Sequence, residues 1–244
     1  MAELICGKQA IREALRAGRR VRRVLVADSA RETAALRDVL LLADQRGVPI
    51  QTVERAELDR LADHHQGIAA EVDPYVYTDF AELLRAARAD TPPLYLILDS
   101  LQDPQNFGTL LRTAAAIGAT GVVLPEHHAV GVTPGVRRAS AGAVEHLRVA
   151  RVTNLVRALE QLKAAGVWVV GLDAHATEPY DAVDARGPTA VVVGSEEQGL
   201  RRLVRECCDF LVALPMEPVL DSLNAAVAGS VVLYEYYRQR RRPR

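Results

Sequence analysis

The sequence predicts an α/β fold in two parts: a small α/β unit, then a larger one built around a parallel sheet. Three observations predict it. Helical and extended spacings alternate over roughly the first 75 residues, a normal size for a small domain. Asp73-Pro74 and Asp90-Thr91-Pro92-Pro93 then interrupt the pattern. Beyond them, short continuous apolar runs alternate with helix-length segments, as strands buried on both faces of a parallel sheet require. The chain has 244 residues, 49% hydrophobic and 25% charged, enough for one large domain or two modest ones. Aromatics make up only 5%, so Val, Leu, Ala and Ile must build the core.

In order, Lys8 to Ala17 has helical spacing through Ile11, Ala14 and Leu15, and Val24 to Val26 is a short strand. Glu32 to Arg46 is a helix ended by Gly47, and Ile50 to Val53 a strand. A short helix from Ala56 to Ala62 leads through His64-His65-Gln66-Gly67 to the strand Ile68 to Val72. Residues 1–74 are therefore expected to form the first domain. Residues 75–92 read as a linker holding a helix-like stretch, Phe80 to Ala89. Residues 93–244 form the second domain, with strands at Leu94 to Leu98, Val122 to Leu124, Val167 to Leu172, Ala190 to Val193 and Phe210 to Leu214.

Net charge is −1, which gives no global attraction to nucleic acid. Locally, Lys8, Arg12, Arg16, Arg19, Arg20, Arg22 and Arg23 crowd the start, and Arg238, Arg240, Arg241, Arg242 and Arg244 the end. Such runs are either solvated faces or footprints for phosphate. The three cysteines, Cys6, Cys207 and Cys208, suit a reducing compartment, and no spaced Cys/His set suggests a metal. With no signal-peptide pattern and no apolar run near the roughly 20 residues that span a bilayer, a cytoplasmic protein is expected, with no membrane partner.

Ligands of open parallel sheets collect beyond the carboxyl ends of the strands, so the loops there carry the chemistry. After the first strand of the second domain, DSLQDPQNFGTLLRTAAAIG holds Asn106, able to cap a helix, and Arg112 on that helix, able to fork onto a phosphate. After the fourth, Gly194 and Gly199 bracket Ser195-Glu196-Glu197-Gln198. This lacks the Gly-Lys-Ser/Thr ending of a P-loop and is not G-x-G-x-x-G, and Ser195 with its two acids can equally cap a helix. After the fifth, LPMEPVLDSLNAAVAG offers Ser222 or Asn224 as cap of a helix of small residues suited to close packing on another backbone.

Taken together, N-F-G-x-x-x-R, G-S-E-x-x-G-L-R and L-P-M-(x)5-S-L-N, in that order, closely resemble the three motifs of the TrmH branch of the SPOUT superfamily of RNA methyltransferases. GKQAIREAL and HHQGIAAEV resemble the ribosomal-protein-like RNA-binding domain of its ribosomal members, and the nearest are the 23S rRNA guanosine 2′-O-methyltransferases. The resemblance implies a parallel-sheet SPOUT domain with a C-terminal deep trefoil knot, a homodimer through that domain, and S-adenosyl-L-methionine as cofactor. It implies methyl transfer to a ribose 2′-hydroxyl of RNA, with tRNA, or RNA binding without catalysis, as alternatives. By motif, Gly194, Leu214, Met216 and Leu223 surround the cofactor, while Asn106, Arg112, Glu196, Ser222 and Asn224 form the polar catalytic cluster. Arginine is effectively always protonated, so Arg112 is expected to bind phosphate and stabilise the alkoxide, leaving Glu196 or a water as proton acceptor. Pro218 and Glu197 stand where relatives commonly have Gly, and Ala226 where they often have Ser. A proline excludes positive φ, so the loop path at residue 218 is expected to differ.

Overall fold

In the computed structural model, residues 2–62, 64–86, 91–217, 219 and 222–241 are described. Pro218 lies outside them. The chain forms two compact units, Met1–Val76 with Val132–His146, and Tyr77–Gly131 with Leu147–Arg244.

The first unit runs β1 (Glu3–Cys6), α1 (Lys8–Arg16), β2 (Val21–Ala27), α2 (Ala34–Gln45), β3 (Ile50–Val53), α3 (Arg55–Leu61) and β4 (Ile68–Val72). Its four-stranded sheet has the order β1-β4-β2-β3, with β2 and β3 parallel and the other pairs antiparallel. Apolar positions at helical spacing on α1 (Ile11, Ala14, Leu15) and α2 (Leu36, Val39, Ala43) bury one face of it against Val24, Ile68 and Val72. Leu58 of α3 and Val53 cover the other with Leu25 and Ala69. Thr33 caps α2 by accepting the Leu36 N–H.

The second unit contains α4 (Phe80–Arg85), β5 (Leu94–Leu98), α5 (Pro104–Ala116) and β6 (Gly121–Pro125). The first unit's α6 (Pro134–Ala139) and a 3-10 turn (Ala143–His146) intervene. The second unit resumes with β7 (Val149–Val152), α7 (Leu155–Ala164), β8 (Trp168–Leu172), β9 (Glu178–Pro179), β10 (Thr189–Val193), α8 (Arg202–Cys207), β11 (Phe210–Ala213) and α9 (Ala225–Arg241). Its seven strands are all parallel, ordered β7-β6-β5-β10-β8-β11-β9. β5, β6 and β10 are buried along their whole length, which is why they read as unbroken apolar runs. No described helix is long and apolar enough to cross a membrane.

Several local expectations are corrected. β1 and β7 were not expected; each has only four residues, ELIC and VARV, too short for a periodic pattern to stand out. α4, inside the expected linker, packs into the core of the second unit through fully buried Leu83. The basic residues near the start are not a free cationic face. Arg12 and Arg16 lie 3.4 Å from Glu13, Arg19 2.6 Å from Glu145, Arg22 2.7 Å from Asp73 and Arg23 2.5 Å from Glu71. The Arg23 bond is the first cause holding the Glu71 carboxyl below its usual range, and the Arg22 bond does the same for Asp73.

Candidate active site at the carboxyl edge of the parallel sheet

With every strand parallel, the loops after β5, β8, β10 and β11 open on one edge. β10, late in the chain, is inserted between β5 and β8, so successive connections diverge there and leave a crevice.

The loop after β10 is closed on itself. Ser195 N donates to Gly199 O at 3.1 Å, and Gly199 N donates to Ser195 O at 3.0 Å. The Gln198 N–H donates to Ser195 Oγ at 3.2 Å. The expected helix cap at Ser195 is therefore replaced by a tight turn, and α8 begins only at Arg202. A Cβ on Gly194 would overlap the carbonyl carbon and oxygen of Gly199 and stand 2.6 Å from Leu200 N. Only glycine allows backbone to lie against backbone here. Fully buried Asp99, just past β5, accepts Arg201 N at 2.8 Å and Arg201 Nε at 2.6 Å and so pins the base of this loop. Its anchoring role was not anticipated, because an acid at a strand end looks like any turn residue.

Three predicted polar residues meet. Asn224 Oδ1 accepts the N–H groups of Ala226 at 3.0 Å and Val227 at 3.2 Å, capping α9. Its Nδ2 donates to Asn106 Oδ1 at 3.0 Å, and Asn106 Nδ2 donates to Glu196 Oε1. The amide orientations follow from this one consistent direction, helix terminus to carboxylate. Asn106 is thus not the cap of α5. Asp103 is, accepting Gln105 N and Asn106 N, with Pro104 in the first turn. Arg112 is exposed on α5, and among the described residues it makes no hydrogen bond or ion pair. Ser222 is exposed on the α9 approach.

Beside the cluster lies a cavity of about 520 Å³ whose wall includes Gly194, Glu196, Leu214, Met216, Ser222 and Leu223. Asn106, Arg112 and Asn224 are not part of that wall. Asp173 and His175 of the loop after β8 and Arg205 of α8 are, and they were missed because that loop carries no recognisable motif and Arg205 looks like any helix arginine. The small residues of α9 have a direct reason. A Cβ on Gly229 would stand 2.7 Å from Leu110 Cδ2 and 2.9 Å from Val193 Cγ2. Thr113 and Ser230 hydroxyls meet at 2.9 Å. The close approach is to side chains of α5 and β10 rather than to backbone.

Comparison with known proteins agrees with this geometry. Residues 93–234 match the model of the SpoU rRNA methylase family, and residues 4–78 that of the RNA 2′-O ribose methyltransferase substrate-binding domain. A Bacillus subtilis putative TrmH family tRNA/rRNA methyltransferase, YacO, is 45% identical over 98% of this chain and 96% of its own length. An uncharacterized tRNA/rRNA methyltransferase of Mycolicibacterium gilvum is 46% identical over 98% of this chain and 77% of its own. The crystal structure of the SpoU methyltransferase AviRb from Streptomyces viridochromogenes with AdoMet superposes with a TM-score of 0.81 at 28% identity, covering 100% of this chain and 92% of that one.

Proposed function

This chain belongs to the SpoU rRNA methylase family, the premise from which we propose that it methylates a guanosine of 23S rRNA. At the coarser level it is an RNA 2′-O-methyltransferase of TrmH type that uses S-adenosylmethionine. The residues present fit that cofactor: the cavity is in the usual size range for small ligands, and the Gly194–Gly199 backbone contact leaves a surface free of side chains.

The bound cofactor supplies an electrophilic methyl group on a sulfonium. In our reading Gly194, Leu214, Met216 and Leu223 hold it. Glu196, oriented by Asn106 and Asn224, receives the proton of the ribose hydroxyl directly or through a water. Arg112 holds the target phosphate by a bidentate fork and stabilises the developing alkoxide, and Ser222 hydrogen-bonds at the rim. The observation that carries this reading is the one-way chain of amides from the α9 terminus to Glu196 beside the cavity.

Residues 1–74 serve as the RNA-binding domain and the unit that holds β5 to β11 as the methyltransferase domain, with α4 part of that unit rather than of a free linker, a division supported by the substrate-binding match over 4–78. The same reading includes a deep trefoil knot around α9 and a cytoplasmic homodimer. In support of the dimer, Val227, Val231 and Tyr234 expose an apolar stripe along α9 beside a groove of about 610 Å³ that holds none of the predicted site residues. The test is incubation with labelled S-adenosylmethionine and undermethylated ribosomal RNA, followed by mapping of the modified nucleotide. Label confined to tRNA overturns the 23S assignment. RNA binding without any label overturns catalysis.

A further inference from the structure

Asp173 follows β8 on the wall of the same cavity as Gly194 and Leu214, and its side chain is only 12% exposed. One carboxylate oxygen accepts the His175 N–H at 2.9 Å, and the other accepts Arg205 Nε at 2.5 Å. Burial alone would raise its pKa. The bonds from Arg205 and the His175 N–H, with the Arg205 charge, instead hold it below the usual carboxylate range. Asp173 is therefore an ionised acceptor at neutral pH. A carboxylate offers about four acceptor positions, and two are occupied here.

The chemistry of the free positions selects the ligand. Arg205 already balances the charge, so a second cation gains little there. Neutral hydroxyl donors gain fully, since each satisfies a lone pair of a nearly buried anion. Acidic side chains near strand ends are recurrent receptors for ribose hydroxyls in open α/β sheets. The remaining wall agrees: Leu200, Val212, Leu214, Ala225 and Ala228 offer an apolar slot for a flat base, while Glu196 lies with the catalytic amides.

We infer that Asp173 receives the ribose diol of the adenosine half of the cofactor, with Arg205 as the positioning residue that holds its carboxylate in place. This rests on the S-adenosylmethionine reading above.

Calorimetry on the full chain tests it with three probes: S-adenosylhomocysteine, its 2′,3′-dideoxy counterpart, and 5′-methylthioadenosine. The wild type is expected to bind the dideoxy compound about tenfold more weakly, the loss of roughly one charge-assisted hydrogen bond. Asp173→Asn is expected to weaken S-adenosylhomocysteine by about the same factor and to show no further loss with the dideoxy compound. Its preference between S-adenosylhomocysteine and 5′-methylthioadenosine stays unchanged. Arg205→Lys gives a smaller loss and a correspondingly reduced sensitivity to deoxygenation, and it serves as the test if ligand-free melting shows Asp173→Asn unfolded. Additive losses from mutation and deoxygenation overturn the inference. So does a changed preference against 5′-methylthioadenosine, which would put Asp173 at the amino-acid end. A wild type that binds none of the probes sinks the cofactor reading and this inference together; binding with additive losses sinks this inference alone.

Discussion

In the first unit, Arg12, Arg16, Arg19, Arg22 and Arg23 each lie against a carboxylate, and Arg137 of α6 is buried 2.9 Å from Glu3 and 3.8 Å from Glu145. In the second unit, exposed Arg112 of α5 has no partner among the described residues. In one-dimensional form these arginines look alike. The difference is that a guanidinium already matched by a carboxylate must give up that pair to bind phosphate, whereas an unmatched one need not. On the reading proposed above, the paired arginines hold structure wherever they lie, Arg201 and Arg205 of the second unit included, and the unmatched Arg112 is the one left for substrate.

The sharpest way to break this contrast is at its buried extreme. Burial lowers the Arg137 pKa while Glu145 and Glu3 oppose that shift, so the cation is held by its anionic neighbours. Arg137→Ala takes the partner from Glu3 and leaves Glu145 to Arg19 alone, and is expected to cost about 3 kcal/mol of stability, read by denaturant unfolding. A change below 1 kcal/mol, roughly the worth of a surface pair, would show that the network is ornamental.

Arg112→Ala should leave the fold intact and lower methyl transfer by about 10²–10³-fold, the loss typical of a transition-state donor. Cofactor affinity by calorimetry should stay within a few-fold. Arg112→Lys should also fail substantially, since a point charge does not replace a fork. Near-normal turnover of the lysine variant would reduce the role to charge alone.

Gly194→Ala extends the contrast to backbone. Its Cβ would meet Gly199 main chain, which cannot swing aside as a side chain can. The loop must move, and a loss of at least about tenfold in S-adenosylmethionine affinity is expected, of the order of one lost charge-assisted contact. Unchanged affinity would place the cofactor elsewhere.

The smallest expected effect separates tightly held cations from loosely held ones. Lys8 makes no hydrogen bond or ion pair among the described residues, and Arg20 is 82% exposed with Asp73 3.9 Å away. Alanine at both should weaken RNA binding modestly and reduce the slope of log affinity against log salt by about 1–2, the release of one or two counterions. Arg22→Ala, which removes a cation bonded to Asp73, should leave the slope nearly unchanged. An equal slope change in all three would mean that the pairs open on RNA.

How much of this was legible depended on the physics involved. The strands Ile68–Val72 and Leu94–Leu98 have the expected bounds, since burial writes an apolar run into the sequence, and Ile50–Val53 has them too although only Val53 of it is buried, its β-branched residues being the signal. The α9 cap was legible as one of two residues, Ser222 or Asn224, and Asn224 fills it. Cap and turn chemistry elsewhere was ambiguous: Asp103 outcompetes Asn106, and the Ser195 turn closes through main-chain bonds that its two glycines permit but do not announce. The insertion of β10 between β5 and β8, and the approach of Asp173 to the cavity, are long-range facts with no local signal.

Arg240, which the sequence groups with phosphate-binding candidates, donates to the carbonyls of Pro92, Pro93, Ala185 and Gly187 at 2.6–3.2 Å. Burial pushes its pKa down to about 10, still well above neutral, so the cation persists. One side chain on α9 thereby ties together the entry to β5 and the entry to β10. Because α9 follows every strand in sequence, and because Ala225 and Ala228 complete the cavity wall, these elements cannot lock while the chain is still being synthesised through β11. A nascent chain stalled there holds all the strands of the sheet and none of the closure. The wall of the cavity that we assign to the cofactor is thus complete only after α9 has emerged, and on that reading ligand binding doubles as a report that synthesis has passed that point.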